Sequence, residues 1–551
     1  LRKEKIVERR KLGCVVMGYN ETPFPEYERL LRGCGEDSEA YRDLKFSFVD
    51  LPGAGKMTYV DLLNHVFSRA RGNGSREIFK SGDIPNLAAA YLAHYLRRRG
   101  VWAETVNLFQ YEKERLLALL RERPLCVAIT TTFYVINLPV TEIVQFIREH
   151  SPDTPIVVGG PLVANYARSY QGDELAAVLR ETGADYFIHE SQGEATLAAL
   201  VACLDAGGAL STVPNLLYFE GRDLRVNAAE RENSSLDQEA IDWTSFPASD
   251  LGPTIQTRTA RSCAFSCAFC NYPTRAGALT LASLETIERE LDSMVRVGEV
   301  RNLVFIDDTF NVPVNRFKEI CRLMIRKQYG FNWFSYFRCS NADLECADLM
   351  AESGCKGVFL GIESGSPAIL KNMNKAATVE KYARGIAWLR ERGVATFGSF
   401  ISGFPGETAA TIRETTDFIR ENKPDFYRSQ LWYCEPGTPI FQQRERYGIQ
   451  GEGFVWNHQT MESMEAMDHI ERMFLSVRES AWLPQWSFDF WFIPYVMGKG
   501  ISIDRFKGLM TEANRLLALE IAAVAPRDKA AAQTKHLDAM VKLAQDANLP
   551  A

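Results

Sequence analysis

Histidine is scarce in this chain, seven among 551 residues, and no histidine or fourth cysteine lies within forty residues of the thiols at Cys263, Cys267 and Cys270. A structural zinc site ordinarily closes with four protein ligands, so the run Cys263-Ala-Phe-Ser-Cys267-Ala-Phe-Cys270 reads as an incomplete ligand set. An iron-sulfur cluster held by three thiolates keeps one iron open. Three small hydrophobes packed in a core would also satisfy the spacing by itself. Long apolar runs are missing too. The most aromatic stretch, Trp482 to Met497, carries Gln485 and Asp489 and is broken by Pro484 and Pro494, which does not suit a membrane span. Basic charge is not in excess. A formal net charge of -7 and a pI near 5.7 leave no overall field for a nucleic-acid backbone. The other nine cysteines are scattered singly, so no disulfide framework is expected and a reducing, cytoplasmic setting fits. Arg2 to Lys11 is charged, which does not read as a signal peptide. No repeat of fixed period and no low-complexity segment occurs. Pro52-Gly-Ala-Gly-Lys56 has Asp50 and Met57 where a phosphate-binding loop needs glycine and a hydroxyl, and reads as a turn.

What is present is alternation. The apolar run Leu12 to Met17 reads as a strand. From Gly82 onward helices and strands interleave, with strands at Val101 to Leu108, Leu125 to Thr131, Pro155 to Val158 and Asp185 to His189. Such spacing predicts a doubly wound parallel sheet that binds ligands outside the carboxyl ends of its strands. Thr130, Thr131 and Thr132, the pair Gly159 and Gly160, and Gln192 with Gly193 all fall at that edge. No G-x-G-x-x-G follows a strand, so a dinucleotide reading fails. The region resembles the cobalamin-binding domain that precedes many radical S-adenosylmethionine (SAM) enzymes. The resemblance implies that these hydroxyl and glycine loops embrace the nucleotide tail of the corrin. No histidine stands in the pattern D-x-H-x-x-G, which implies a weakly ligated or open lower face on cobalt.

Beyond a polar linker at Glu230 to Pro253 the alternation resumes, with strands at Ile255 to Thr259, Asn302 to Ile306, Asn332 to Phe337, Gly357 to Ile362, Val394 to Ile401 and Phe426 to Trp432. Six strand-helix units predict an open parallel barrel with its chemistry on the carboxyl-end loops. Those loops are the cysteine motif, Phe305-Ile-Asp307-Asp308-Thr309, Phe337-Arg338-Cys-Ser340, Gly361-Ile-Glu363-Ser364-Gly365 and Ser402-Gly403-Phe404-Pro405-Gly406-Glu407. Over residues 255 to 440 this order resembles the radical SAM superfamily, and with the preceding domain about four-fifths of the chain resembles its cobalamin-dependent branch.

The resemblance implies that Cys263, Cys267 and Cys270 hold a 4Fe-4S cluster and that Phe269 abuts the adenine of SAM. Asp307 and Asp308 stand where the methionine ammonium is bound, a task that suits a carboxylate, although an Asp pair after a strand also caps helices. Arg338, Glu363 and Ser364 complete the expected SAM contacts. Glu285 or Glu288 would reach the open iron or else face solvent. Tyr336, with Tyr433, is the candidate for proton handling. Trp456, Trp482, Trp486 and Trp491 either wall an aromatic substrate or form core.

The stretches Phe79-Lys-Ser-Gly-Asp-Ile-Pro-Asn86, Arg258-Thr-Ala-Arg-Ser262, Asn271-Tyr-Pro-Thr-Arg275 and Glu435-Pro-Gly-Thr-Pro439 are similar to the group containing the tryptophan 2-methyltransferase of thiopeptide biosynthesis and the phosphinothricin-type P-methyltransferase. The expected organisation is α/β. It comprises a doubly wound, Rossmann-like cobalamin domain with an N-terminal extension at 1–235, a partial (β/α)6 barrel with linker at 236–440, and a helical C-terminal capping domain at 441–551. The expected activity passes a methyl group from SAM through methylcobalamin to a small molecule, first to carbon 2 of tryptophan and second to an H-phosphinate. A flavodoxin-like donor would supply electrons. A cobalamin-dependent rearrangement or cyclisation, and a non-enzymatic cobalamin sensor, stand as other readings. Neither nucleic acid nor membrane is an expected partner.

Overall fold

Seven of the eight residues of Leu12–Tyr19 are buried, so this strand, β1, is apolar on both faces as a central parallel strand requires. The computed structural model describes residues 11–72, 77–80, 83–134, 136–486, 490–523 and 525–545. Residues 2–10 of the charged N-terminal run, Ser81 and Gly82 before the alternating region, and Asp489 of the aromatic stretch lie outside them.

The chain groups into two units. The first comprises Leu1–Thr22, Gly82–Asp250 and Asp292–Val297. Its strands are β1, β2 (Trp102–Leu108), β3 (Cys126–Thr130), β4 (Ile156–Gly159), β5 (Tyr186–Ile188), β6 (Leu216–Glu220) and β7 (Asp223–Val226). They lie in the order β2-β1-β3-β4-β5-β6-β7, the first five parallel and the last two added antiparallel. The parallel part is a doubly wound sheet whose order reverses between β1 and β3, where such sheets bind their ligands. Val15, Val127, Ile129, Val158 and Phe187 from the strands pack with Leu116, Ile143 and Ile147 from the helices in one core. The stretch read as linker belongs largely here: the Glu232 carboxylate accepts from Ala195 and Thr196 N–H at the start of helix Glu194–Ala206, at 2.8 and 2.9 Å.

The second unit comprises Pro23–Ser81, Leu251–Leu291 and Gly298–Ala551. Its main sheet runs in sequence order: β8 (Thr254–Thr257), β9 (Asn302–Phe305), β10 (Asn332–Phe337), β11 (Cys355–Glu363), β12 (Ala395–Ser402), β13 (Phe426–Leu431) and β14 (Ala481–Trp482). All neighbours are parallel, which gives the six expected strand-helix units and adds a short seventh strand. The stretch Pro23–Ser81 groups with this unit rather than with the first sheet. Helix Tyr59–Arg71 packs along helix Pro526–Gln545. The Gln533 amide donates to the Asp50 carbonyl at 2.8 Å, across 483 residues of sequence. The turn at Pro52–Lys56 links the antiparallel strands Phe48–Leu51 and Gly55–Thr58. After residue 441 a three-stranded antiparallel sheet, Gln450–Glu452, Val455–His458 and Met461–Glu462, precedes the helices. Among the described residues no helix is long and apolar enough to cross a membrane.

Candidate functional site

At the carboxyl end of β8 the chain bends through the strand Ala260–Arg261, which pairs with Thr280–Leu281. Ser262 is in the left-handed region at φ 72°, and its hydroxyl donates to the Gly277 carbonyl at 2.6 Å. That turn delivers Cys263 into the thiol loop. Two other segments fix the loop. The Ala268 N–H donates to the Met373 carbonyl at 2.8 Å, and the Asn374 amide donates to the Ser266 carbonyl at 2.8 Å. From the other side the Ile440 N–H donates to the Ala268 carbonyl at 2.9 Å, and the Asn271 amide bonds the Glu435 carboxylate. Cys267 is buried, whereas Cys263 and Cys270 are partly open.

Burial, then the neighbouring Cys267, Asp308 and Cys263, push the Cys270 thiol up to about 11. Three thiolates this close repel one another unless a cationic centre lies among them. Yet among the described residues no three His, Cys, Asp or Glu side chains gather tightly enough for a single metal ion. Three cysteines on one loop match the donor set of a cluster whose irons each take their own thiolate. Glu288 is paired with Lys327 at 2.7 Å and Glu285 stands exposed.

The two aspartates after β9 divide. Asp307 is buried, and its carboxylate accepts from the Thr259 and Ala260 N–H groups at 2.6 and 3.0 Å and from the Thr259 hydroxyl. Arg316 donates to the Thr259 carbonyl at 2.8 Å and to the Ala282 carbonyl at 2.9 Å, closing the bend that leads into the thiol loop. Asp307 is thereby engaged in holding that bend. Asp308 reaches solvent, but Tyr272, Arg275 and Asp307 wall its carboxyl, and burial followed by the Asp307 charge pushes it up to about 7. A solvent-exposed carboxyl that is not tied into the bend is able to bond an ammonium.

Glu363 ends β11 in the left-handed region at φ 69°, and its carboxylate pairs with Lys375 at 2.8 Å, both groups buried. Lys375 lies 5.4 Å over the Phe269 ring. Nothing in the sequence marks it, because lysine is ordinarily solvated. Ser364 points inward, 3.2 Å from the Thr415 hydroxyl, and accepts from the Ser366 N–H, which serves the helix packing behind the loop. Glu407 is buried, accepts from the Gly403 and Phe404 N–H groups, and is pushed by burial up to about 8. Between the ordinary value of 4.5 and about 8 the folded chain therefore binds this proton more tightly than the unfolded chain, and stability falls as pH rises through that window. Glu407→Gln keeps an oxygen for both N–H groups and removes the titration. Thermal melts at about pH 5 and about pH 8 should differ less for the variant than for the wild type.

Inside the barrel, neighbouring strands align Tyr336, Phe359 and Phe397. Tyr336 meets Phe359 edge-on at 4.9 Å and Trp491 at 5.3 Å, while Phe490 packs on Phe359 at 5.7 Å. Tyr336 thus belongs to an aromatic wall. Tyr433 lies beyond the end of β13 and is exposed, outside the inner row expected of it. Trp456 is core, donating to the Trp432 carbonyl at 2.7 Å, Trp482 is buried in β14, and Trp486 stacks on Tyr27 at 4.3 Å. Of the four tryptophans singled out, Trp491 joins the Tyr336 wall.

In the first unit, the Thr130 hydroxyl donates to the Met17 and Gly18 carbonyls at 3.0 and 2.9 Å, and the Thr131 hydroxyl donates to the Gly159 carbonyl at 2.9 Å. Both tie strand ends together, leaving Thr132 as the exposed hydroxyl of the triplet. Gly160 has φ 109°, and an added Cβ would lie 2.9 Å from the Thr131 hydroxyl oxygen. Gly193 has φ 71°, and its Cβ would meet Ile188 at 2.9 Å, before the partly buried Gly159 and Gln192 at the same edge. The switch point between β1 and β3 adds residues the sequence reading missed. Tyr19 meets Phe133 edge-on at 5.9 Å, and the Asn20 N–H donates to the Tyr134 hydroxyl at 2.6 Å. Phe133 stands 53% exposed there, an open aromatic beside a glycine-lined edge.

Residues 257–419 match the radical SAM superfamily. An uncharacterized methyltransferase of Pyrococcus horikoshii is 26% identical over 298 residues, 52% of this chain and 62% of that protein. The anaerobic magnesium-protoporphyrin IX monomethyl ester cyclase of Rubrivivax gelatinosus is 24% identical over 430 residues, 74% of this chain and 75% of that protein. The radical SAM methyltransferase TsrM of Kitasatospora setae, solved with cobalamin and a [4Fe-4S] cluster, superposes with a TM-score of 0.58 and 18% identity over 83% of this chain and 97% of that one. The same enzyme solved with tryptophan and a SAM analogue gives a TM-score of 0.53 and 22% identity over 66% of this chain and 73% of that one.

Proposed function

For a chain whose residues 257–419 belong to the radical SAM superfamily, we propose the activity of a cobalamin-dependent methyltransferase. The observation that carries this reading is the thiol loop Cys263–Cys270 at the carboxyl end of the first barrel strand, with a separate doubly wound sheet in the same chain. When bound, cobalamin relays the methyl group and the cluster supplies low-potential electrons. The chain's own residues bind and orient. Cys263, Cys267 and Cys270 hold the cluster, Phe269 packs the adenine, and Asp308 takes the methionine ammonium. Thr132, Gly159, Gly160, Gln192 and Gly193 line the corrin side of the first sheet. Tyr336, Phe359, Phe397 and Trp491 wall the acceptor, and Tyr336 carries the phenol able to hold a proton beside it. An aromatic wall favours a flat, apolar acceptor, and carbon 2 of tryptophan is the proposed site. The similarity to the protoporphyrin ester cyclase, three-quarters of that protein's length, favours ring formation as a second reading.

The test is anaerobic incubation of reconstituted protein with cobalamin, methyl-labelled SAM, a low-potential reductant, and either tryptophan or an H-phosphinate. Label in methyltryptophan is the expected result. Label on phosphorus moves the acceptor, and a product lacking the added methyl mass moves the chain to ring formation. Absence of any SAM-dependent product with either acceptor overturns the proposed acceptors.

A further inference from the structure

The thiol loop contains two phenylalanines, and each carries a buried cation on its face. The Arg338 guanidinium lies 3.6 Å from the Phe265 ring centre, and the Lys375 ammonium 5.4 Å from that of Phe269. Both cations are held from behind. The Arg338 N–H donates to the Asn311 side chain at 2.9 Å, Asn311 donates back to the Arg338 carbonyl at 2.9 Å, and the Arg338 Nε donates to the Ser340 hydroxyl at 3.1 Å. Lys375 is fixed at 2.8 Å by Glu363. Its neighbours Met373 and Asn374 bond Ala268 and Ser266 of the loop.

Arg338 is 6% exposed and Lys375 6%, and of the two only Lys375 is paired with a buried carboxylate, Glu363 at 8%. The Arg338 Nη2 is buried and has no hydrogen-bond partner among the described residues. A buried donor without a partner calls for an acceptor, and at low local dielectric a buried cation acts strongly on nearby charge. The negative charge of Glu363 holds Lys375 protonated, and Cys267 lies within its electrostatic reach.

We propose that Arg338 and Lys375 form a cationic clamp on the thiol loop that raises the reduction potential of the cluster held there, with Glu363 as the opposing charge. The inference rests on the reading that Cys263, Cys267 and Cys270 bind that cluster. Reduction adds one electron to the cluster and no proton, from a low-potential donor such as a reduced flavodoxin. A fixed cation stabilises the more negative product, and cluster potentials respond to local net charge and to hydrogen bonds. Arg338 and Lys375 act here as positioning residues, through charge rather than ligation.

The experiment is a redox titration of the full-length, iron-sulfide-reconstituted protein without SAM, followed by electron paramagnetic resonance, with iron content measured on each sample. Lys375→Met and Arg338→Gln should shift the midpoint down, Glu363→Gln should shift it up, and Lys375→Arg should hold it near wild type. Opposed signs separate a charge effect from loosened packing, which would move all the variants one way. Variants that keep iron and share the wild-type midpoint, or that all shift together, overturn the clamp. Should Lys375→Met lose its iron, Arg338→Gln and Glu363→Gln still decide by their signs. Wild-type protein that takes up no iron overturns the cluster assignment, and the clamp with it, a failure told apart by iron content alone.

Discussion

Replacing Cys267 with alanine should reduce reconstituted iron from about four atoms per chain to background and abolish methyl transfer, while leaving the fold in place. Cys267 is the buried member of the triplet, so the variant also tests the alternative that these thiols are merely packed. A packed cysteine lost to alanine costs about 1 kcal/mol of stability and nothing else. The comparison is Cys321, buried on helix Val314–Lys327 and remote in sequence from the loop. Cys321→Ala should lower the melting temperature slightly and leave iron at the wild-type level. Equal iron in the two variants would return the triplet to ordinary core. The readings are iron and sulfide analysis, the charge-transfer absorption of the cluster, and labelled product after a fixed time.

How much of this was legible in the sequence depends on how far each contact reaches along the chain. The barrel was readable because every strand from β8 to β13 presents its chemistry within a few residues of its own carboxyl end, so hydrophobic period and loop motif point to the same element. The five parallel strands of the first sheet were readable for the same reason, whereas its antiparallel pair, β6 and β7, was not. The grouping of Pro23–Ser81 was not, since Asp50 meets Gln533 across 483 residues and the stretch shows no strong period of its own. Nor could spacing tell which hydroxyls of Thr130, Thr131 and Thr132 would face outward. That follows from Thr131 reaching the Gly159 carbonyl on the next loop. Lys375 escaped because burial of a lysine depends on a partner, and its partner Glu363 sits on another element. The Asp pair was found, but not its division of labour, which depends on the bend at Thr259 and Ala260.

That division makes the sharpest contrast between neighbours. Asp307→Ala would strip the acceptor from two buried backbone N–H groups and the Thr259 hydroxyl, at a cost of about 2–4 kcal/mol. The bend that aims Cys263 would loosen with it, so iron uptake should fall together with the melting temperature. Asp308→Asn keeps a side-chain oxygen for the hydrogen bonds Asp308 makes to its own N–H and to Tyr272, and an exposed side chain of this kind changes stability by about 0.5 kcal/mol or less. Its effect should appear in SAM binding instead, because a charge-assisted bond to an ammonium is worth about 1.5–3 kcal/mol, or about a 10- to 100-fold loss of affinity. Differential scanning calorimetry and equilibrium dialysis with SAM read the two axes separately. Asp307→Ala should move the first far more than Asp308→Asn does, and Asp308→Asn should move the second with iron content intact. Unchanged SAM affinity in Asp308→Asn would remove Asp308 from the ammonium site. With Asp307 committed to the bend, the ammonium would then have to be met by backbone carbonyls at the same strand end.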